Sequence, residues 1–431
     1  MNILVVYNHD AYHVGTIKDH LNAYKAFSSH RVVLIDYRTL FSTVEDVDVF
    51  DVIVVHYSLS FAMEGYDDFS CRRTISGFKG YKVIYIQDEY RWIDNTVKLI
   101  AELGIDVIYT VLNPDIVDKV YHHAEIAHVR RKLTLTGFVP ENLLNVAVPS
   151  YQDRKIDIGY RVRKVPYWLG VLGQEKWLLG AKFKQIAEKL SLKVDIEFDE
   201  TKRLYGDKWI NFVSGCKAML GAESKISYFD FSGETRLIVD KYCKENPDAT
   251  FEEVQEKFLK ENDQEIICHV ISPRCFEAAA LRTLMVMYPG EYSGRLEPWR
   301  HYVPLEFDHS NIDEVIAIVN DPVRAGLIIE NAYNEVALNK NNHFSSMVRQ
   351  FCDDLAEHYN LINERKVLAG KPFEADVESI FRDIEERSRR KLNGLKLRNG
   401  VKVFGVFIIK ILVPKRYQRS LVERIKKIVR I

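Results

Sequence analysis

Short runs of β-branched and aromatic residues recur along the first part of the chain, with intervals between them that are long enough for a helix. The five runs are ILVVY at 3–7, RVVLI at 31–35, DVIVVHY at 51–57, KVIYIQ at 82–87 and DVIYTVL at 106–112. Apolar strands that alternate with helices are typical of a parallel sheet covered on both faces. We expect helices over 16–27 and 94–103. This pattern restricts the first part of the chain to an α/β fold.

A second series of runs predicts a second parallel-sheet domain. Its members are IDIGYR at 156–161, KVDIEF at 193–198, CKAMLGAE at 216–223 and LMVMY at 284–288. The predicted domains are residues 1–150 and 151–321, and the second carries an insertion at 224–270. In the insertion, Thr250 and Glu253 form a Thr-x-x-Glu capping box. Two helical patterns within 322–362 are expected to pack across both domains.

Composition restricts the class of protein further. A chain of 431 residues that is 47% hydrophobic has enough apolar material for two cores. Its six cysteines show no metal-ligand spacing, which predicts a reduced, cytosolic protein. The start MNILVVYNHD lacks the basic region of a signal peptide and is interpreted as a first strand. No run reaches the ~18 apolar residues of a membrane-spanning helix.

Charge is distributed unevenly along the chain. From Arg389 to Ile431 there are fourteen Lys or Arg and one acid, so this segment carries +13 and the remainder −14. The segment alternates basic and apolar residues, as amphipathic helices on anionic membranes do. We therefore predict a basic amphipathic helical tail over 372–431 that binds an anionic membrane surface. A docked extension with a solvated basic face is the alternative. A nucleic-acid partner is not expected, since no recognisable module is present.

In open α/β sheets, ligands bind beyond the carboxyl ends of the strands. In the first domain these ends carry several imidazoles and carboxylates: His9, Asp10, His13, His56, Asp88 and Glu89. This concentration predicts an acid/base site, with His13, Asp88 and Glu89 as candidate catalytic residues. Ordinary polar loop residues are the alternative interpretation.

In the second domain, the same ends carry basic residues. Arg161, Arg163, Lys164, Lys176 and Arg274 would surround a helix N-terminus, an arrangement that suits a diphosphate. A solvated basic loop is the alternative.

The segment SPRCFEAAALRTLMVMY at 272–288 resembles the corresponding segment of group-1-like GT-B glycosyltransferases, and YSGRLEPWRHYVPLEFDHSNIDEVIAIVND at 292–321 resembles its continuation. The resemblance implies two facing Rossmann-like domains, the first for the acceptor and the second for a nucleotide sugar. It implies that Glu277 accepts hydrogen bonds from ribose hydroxyls, and that Arg274 lies where the diphosphate would pass. The implied donor-site residues are Arg161, Arg163, Lys176, Glu223, Ser272, Arg274 and Glu277.

The chain also departs from that family. Many retaining members have a second glutamate eight residues before the ribose glutamate, where this chain has His269. Glu223 could substitute for that glutamate, or the enzyme could invert configuration and need none; both alternatives stay open.

The resemblance leads to an expected function. We expect a glycosyltransferase that needs neither a metal nor a cofactor and moves a sugar from a nucleotide diphosphate to a glycan or lipid-linked acceptor in surface polysaccharide assembly. It would be cytoplasmic and peripherally bound to the inner face of the membrane. The alternatives are a GT-B epimerase or phosphorylase and a non-catalytic nucleotide-sugar-binding scaffold. A Rossmann dehydrogenase is a less favoured alternative, because no GxGxxG motif follows an early strand.

Overall fold

The computed structural model describes residues 1–44, 46–60, 62, 69–368 and 377–412. Its first sheet has six parallel strands: β1 (Asn2–Tyr7), β2 (Arg31–Asp36), β3 (Val52–Val55), β4 (Tyr81–Tyr85), β5 (Val107–Thr110) and β6 (Arg130–Leu133). They lie in the order β2-β1-β3-β4-β5-β6. The helices between them are α1 (Gly15–Phe27), α2 (Leu40–Thr43), α3 (Phe69–Gly77), α4 (Ile93–Leu103) and α5 (Val117–Val120).

All five predicted strands and both predicted helices of this region are present, and β6 is an addition. Its sequence RRKL lacks the apolar pattern of a buried strand because it lies at the edge of the sheet. Arg130 and Lys132 of this strand instead form ion pairs of 2.8 and 2.7 Å with the buried Asp354 carboxylate.

The second sheet has the strand order β13-β12-β9-β7-β8. The strands of the second half of the chain are β7 (Ile156–Arg161), β8 (Val194–Glu197), β9 (Cys216–Gly221), β10 (Ser224–Ile226), β11 (Cys268–Val270), β12 (Leu284–Met287) and β13 (Val303–Pro304). The helices as far as the sheet's last strand are α6 (Gly170–Gly173), α7 (Glu175–Lys189), α8 (Asp207–Gly215), α9 (Glu234–Glu245), α10 (Phe251–Val254) and α11 (Pro273–Ala280). The four predicted strands are present, and the two-residue β13 was too short to predict.

Residues 224–270 form an arm that leaves the second domain and packs on the first. Its two ends, β10 and β11, pair antiparallel, so the segment leaves and returns at one place. The Thr250 side chain accepts a hydrogen bond from the Glu253 amide at 3.2 Å, which is the predicted helix cap. Phe229 and Val270 of the arm are buried in the core of the first domain. The arm therefore connects the two domains by an apolar contact.

The following helices divide between the domains. They are α12 (Ile312–Val319), α13 (Pro322–Asn331), α14 (Phe344–Glu357) and α15 (Tyr359–Leu368), with a π-helical turn at Ala332–Ala337. Ile328 and Ile329 of α13 are buried in the core of the second domain. Phe344 and Phe351 of α14 are buried in the first-domain core, where α14 packs on α1.

The last described helix, α16 (Val377–Leu412), differs from the prediction of a separate tail. Its first half packs on the edge of the first sheet, where Phe381 stacks on Phe50 with ring centroids 4.9 Å apart. Ser388 and Leu392 are buried there. The basic segment therefore begins in a part of the helix that packs on the first domain. Its high charge gave no sign in the sequence of the residues that are buried there. Residues 413–431 of the predicted tail lie outside the described residues. No helix in the described ranges is long and apolar enough to cross a membrane.

Replacing Ser388 by alanine should lower the stability of the first domain by about 1 kcal/mol. The Thr39 hydroxyl donates to the Asp36 carbonyl, so the Ser388 hydroxyl donates to Thr39 across a buried contact of 2.8 Å. A shift in the urea midpoint of unfolding measures the loss. Asn393→Ala, at an exposed position of the same helix, is the control and should change stability by less than about 0.5 kcal/mol. Equal midpoints for wild type and Ser388→Ala would contradict this packing of α16.

Candidate functional site

His13 lies between β1 and α1, at the carboxyl edge of the first sheet, and its side chain is exposed. Its Nδ1 atom is 2.8 Å from the carbonyl oxygen of Asp10. Because a carbonyl only accepts, Nδ1 carries the proton, and Nε2 is the acceptor of the neutral ring. The imidazole meets Tyr205 of the second domain edge to face, with centroids 5.3 Å apart. The structure therefore places a proton acceptor where the two domains face each other.

Asp88 follows β4 at the same edge of the sheet. Its backbone is left-handed, with φ of 57°, and such a conformation in a residue other than glycine is often associated with function. Its carboxylate accepts hydrogen bonds from Arg91 Nη2 at 2.8 Å and from the Tyr90 hydroxyl at 3.0 Å. Both carboxylate oxygens thus have partners, but the side chain is still about half exposed.

A cavity of about 330 Å³ lies at the carboxyl ends of β3 and β4. Its polar lining consists of Ser58, Ser60, Gln87, Asp88, Glu89, Arg91 and Thr96 together with the Tyr57 and Tyr85 rings. Ser58 and Gln87 were not among the predicted site residues, since a lone serine or glutamine in a loop carries no signal in the sequence. The cavity has a volume in the range of small-molecule binding pockets.

Glu89, the third candidate base, has a buried side chain that is already bonded. Its carboxyl group accepts hydrogen bonds from the Thr110 hydroxyl at 2.5 Å and from the Val111 amide at 3.3 Å. Burial raises the pKa of Glu89 to about 8, against the opposing effect of these hydrogen bonds. The group is thus a neutral acid at neutral pH, which does not suit a base that accepts a proton from an acceptor.

His56, which the sequence placed in the same cluster, is fully buried beside His20. Its Nε2 atom is 3.1 Å from His20 Nδ1, and its Nδ1 atom accepts from the Ser58 amide at 3.0 Å. The pairing fixes one tautomer for each ring. Burial lowers the pKa of both histidines, that of His20 to about 3. The pair is neutral and structural, and it positions Ser58 at the cavity wall.

Arg274 lies in the first turn of α11, which Ser272 precedes as its N-cap residue. Its Nη1 donates to the Arg161 carbonyl oxygen at 2.5 Å, and its guanidinium lies 5.5 Å from the Trp209 ring. Lys176 is close enough for Arg274 to affect its pKa: burial first, and then the Arg274 charge, lower the pKa of Lys176 to about 8. The Lys176 ammonium donates to Ser224 Oγ at 2.6 Å.

A small cavity of about 30 Å³ is lined by Lys176, Trp209, Ser272 and Arg274. Helix N-termini with nearby cations favour anionic groups, because the helix amides and the positive charges act together. Arg274 is held at this helix N-terminus by the Arg161 carbonyl and the Trp209 ring, beside the second cation, Lys176.

Glu277 follows Arg274 by almost one helical turn. One of its oxygens accepts a hydrogen bond from Trp209 Nε1 at 2.9 Å. Burial raises the pKa of Glu277 to about 7, and the Trp209 hydrogen bond opposes that rise. Trp209 was missed in the sequence, because it lies 68 positions away on α8 and only the fold brings the two together. A carboxylate with one remaining oxygen is suited to accept from ligand hydroxyls.

The other predicted donor-site residues have partners of different kinds. Arg161 forms an ion pair with Asp195 at 2.8 Å and stacks over Phe212, so its guanidinium is committed within the second domain. Arg163 is exposed. Burial raises the pKa of the first-domain Tyr90 hydroxyl, and the Arg163 charge is a smaller opposing effect. These two residues are therefore less well placed than Lys176 and Arg274 to bind an anion at the N-terminus of α11.

Glu223 is buried and accepts a hydrogen bond from the Tyr292 amide at 2.6 Å. His269 Nδ1 lies 3.6 Å from a Glu223 oxygen. The fold thus brings Glu223 beside His269, which stands at the position where the resemblance would place a second glutamate. A Cβ atom at Gly290 would lie 2.5 Å from Glu223, so only glycine leaves room for this carboxylate.

Contacts between the arm and the first domain fix the two edges relative to each other. The Asp230 amide donates to the Tyr90 carbonyl at 2.8 Å, two residues from Asp88. The Asn113 side chain makes two hydrogen bonds of 2.9 Å with the backbone of His269. The acid/base edge of the first domain therefore faces the cationic helix end of the second.

No protein-family model and no curated protein sequence matches this chain. Among solved structures, an alpha-glucosyltransferase (AGT) in complex with UDP and a 13-mer DNA containing a central A:G mismatch has a TM-score of 0.51 at 10% identity, covering 84% of this chain and 100% of that chain. T4 phage BGT in complex with UDP-glucose has a TM-score of 0.47 at 13% identity, covering 82% of this chain and 99% of that chain. Anabaena Alr3699/HepE in complex with UDP-glucose has a TM-score of 0.45 at 11% identity, covering 83% and 100%.

The chain has the GT-B fold. This confirms the fold class expected from the sequence, with two parallel α/β sheets facing each other. Identity at this level shows the fold alone, so the chemistry has to be argued from the residues of this chain.

Proposed function

We propose that this protein is a glycosyltransferase that moves a sugar from a nucleotide diphosphate to an acceptor hydroxyl. The observation that carries the proposal is the pairing of two edges across the cleft. On one edge, His13 holds Nε2 as a proton acceptor and faces the second domain. On the other edge, Arg274 and Lys176 lie at a helix N-terminus beside Glu277.

On the donor side, each group has a distinct task. The free acceptor capacity of Glu277 would bind ribose hydroxyls, and the Trp209 hydrogen bond would hold its carboxylate in place. Arg274, Lys176 and the α11 amides would stabilise the diphosphate as its negative charge grows in the transition state. These cations would take the role that a metal plays elsewhere, and metal independence is part of the proposal.

On the acceptor side, His13 Nε2 would accept the hydroxyl proton as the oxygen attacks the anomeric carbon. The C–O bond to the acceptor forms while the bond to the diphosphate breaks, and the pair of electrons leaves with the diphosphate. A single displacement of this kind inverts the anomeric centre. A general base of this type contributes about 10²- to 10⁴-fold to the rate.

A glycan or a lipid-linked sugar at the inner face of the membrane, in surface polysaccharide assembly, is the proposed acceptor. The neighbouring AGT structure with a TM-score of 0.51 contains UDP, which makes uridine diphosphate sugars the first donors to test. One neighbour is a complex with DNA, so the expectation that nucleic acid is not a partner stays a prediction. DNA accordingly belongs among the acceptors tested.

A thermal-shift series with UDP, GDP, dTDP and CMP and their sugars tests the donor site. We expect one nucleotide diphosphate to stabilise the protein by about 2.7 kcal/mol at ~100 times its dissociation constant. The matching nucleoside is the control and should give a smaller shift, because it lacks the charges that Arg274 and Lys176 attract.

Transfer from the matching sugar donor to a hydroxyl acceptor then tests the activity, with EDTA present to check metal independence. A nucleotide that binds without sugar transfer to any acceptor would instead favour the non-catalytic scaffold. The absence of a shift with all four nucleotides would overturn the donor site.

A further inference from the structure

Two large aromatic side chains are exposed at the surface of the first domain. Phe41 of α2 is 62% exposed, and Phe69, the first residue of α3, is 72% exposed. The two helices pack against each other, so the phenylalanines belong to one region of the surface. Single exposed apolar residues are common, but neighbouring exposed aromatics often mark an interaction site.

Both phenylalanines lie at the carboxyl edge of the first sheet. Phe41 follows the end of β2 by five residues. Phe69 begins the helix between parallel strands β3 and β4, and such a helix runs antiparallel to the strands, so its start lies at their carboxyl ends. This is the edge that also carries His13 and Asp88. The exposed aromatics therefore lie at the same edge of the first sheet as the proposed acceptor site.

Helix α16 runs along the first domain toward the same edge. It begins near the amino end of β3, where Phe381 stacks on Phe50. It then passes α2, where the Lys391 ammonium donates to the Ser42 carbonyl, and reaches the loop after β1, where Lys396 Nζ lies 3.0 Å from His9 Nε2. The helix therefore arrives beside the acceptor loops.

The remaining residues of the helix continue beyond that contact. Residues 397–412 span about 24 Å at 1.5 Å per residue. The sequence of 401–412, VKVFGVFIIKIL, is apolar apart from two lysines. Between Arg387 and Lys396 there are five basic residues and no acidic one. A strongly basic helix, whose sequence continues as an apolar run, thus passes α2, which carries Phe41.

We propose that Phe41, Phe69 and the basic part of α16 form one docking surface for an anionic lipid bilayer, with the acceptor edge of the cleft turned toward the membrane. This deepens the proposed function, because a lipid-linked acceptor would then meet His13 at the bilayer surface. Basic residues supply attraction to anionic headgroups, and aromatic and aliphatic side chains insert at the interface. A nucleic-acid duplex keeps its bases stacked inside, so it would complement the charge but neither the exposed aromatics nor the apolar segment.

Flotation of the full-length protein with liposomes tests the surface. Vesicles of phosphatidylcholine with about 30% phosphatidylglycerol, an anionic lipid, are compared with vesicles of pure phosphatidylcholine at low salt. We expect binding to the anionic vesicles that weakens as salt rises, since charges are screened over ~8 Å at physiological ionic strength. Phe41→Ser with Phe69→Ser should weaken that binding at least about tenfold, because exposed aromatics contribute by insertion.

Matched controls separate this surface from general stickiness. Leu237→Ser with Ile238→Ser removes two similarly exposed apolar residues from the arm and should leave flotation unchanged. A chain ending at Lys396 keeps the packed part of α16 but lacks the apolar continuation, so its flotation should weaken while its melting temperature stays near that of wild type. Liposome binding needs no nucleotide, so a failure of this proposal is distinguishable from a failure of the donor site.

Three results would overturn the docking surface. The first is a full-length protein that ignores anionic vesicles at low salt or binds neutral ones equally well. The second is an equal loss of flotation in the Phe and the Leu/Ile variants. The third is displacement from vesicles by a stoichiometric amount of duplex DNA, which would assign the basic helix to nucleic acid.

Discussion

Alanine in place of His13 should lower kcat about 100-fold or more, while the affinity for the nucleotide sugar stays within about twofold of wild type. The Nδ1 proton is held by the Asp10 carbonyl, so Nε2 is the atom that would accept the acceptor proton. Its removal takes away the base but touches no donor-site residue on α11. Single-turnover transfer and calorimetry, measured on the same sample, separate the two effects.

Added imidazole gives a readout that a structural role would not produce. In His13→Ala it should restore part of the lost rate, because a free base can diffuse into the vacated position. Asp88→Asn is the comparison: it keeps the shape of a carboxylate that Arg91 and Tyr90 already occupy, and we expect a smaller loss than for His13→Ala. If both variants transfer sugar at nearly the wild-type rate, the acceptor-side assignment is wrong.

Much of the fold was predictable because each strand of a buried parallel sheet is a short apolar run that can be recognised locally in the sequence. Runs such as ILVVY are buried on both faces in β1, and their apolar character needs no long-range information. Strand β6 was not predicted, because its residues Arg130 and Lys132 form ion pairs with Asp354, which lies more than 200 positions away in the sequence. The prediction of a separate tail failed for the same reason. The basic composition of this segment gave no sign of the side chains that pack against Phe50 and Thr39.

The candidate site was predictable only in part. Loop position and residue type made His13, Asp88 and Arg274 candidates, and the resemblance to GT-B enzymes made Glu277 one. Neither signal distinguishes a base from a bonded group, and the roles of all four residues stay predictions. Neighbours in sequence such as Asp88 and Glu89 differ completely in burial. Trp209 and Ser58 gain their roles from contacts that form only when distant segments meet, and a single sequence carries no record of such contacts.

Glutamine at position 277 should weaken binding of the nucleotide and of the nucleotide sugar by about tenfold or more, since hydrogen bonds to a charged group are worth ~1.5–3 kcal/mol. The amide keeps the size of the side chain but loses the charge that would accept from ribose hydroxyls. Glu297→Gln, at an exposed position of the same domain, is the control and should bind as wild type does. Trp209→Phe keeps the ring and removes the hydrogen bond that orients Glu277, so we expect an intermediate loss.

The pH dependence supplies the decisive measurement. Burial raises the pKa of Glu277 to about 7, so its acceptor form is the major form above that pH and the minor form below it. Wild-type affinity for the nucleotide sugar should therefore fall as the pH is lowered through about 7, while Glu277→Gln should lose this dependence. The sugar diester is the probe of choice, because a terminal phosphate would itself titrate nearby.

The same raised pKa predicts the opposite effect on stability. The folded state binds the Glu277 proton more tightly than the unfolded state does, so ionisation of Glu277 disfavours the fold as the pH rises above its ordinary carboxyl range. This cost is fully present above about pH 7, and Glu277→Gln should be at least as stable as wild type at pH 8. Calorimetry that finds unchanged nucleotide affinity in this folded variant would remove Glu277 from the donor site, whereas weak binding by a more stable protein would mark a residue that is retained for its ligand.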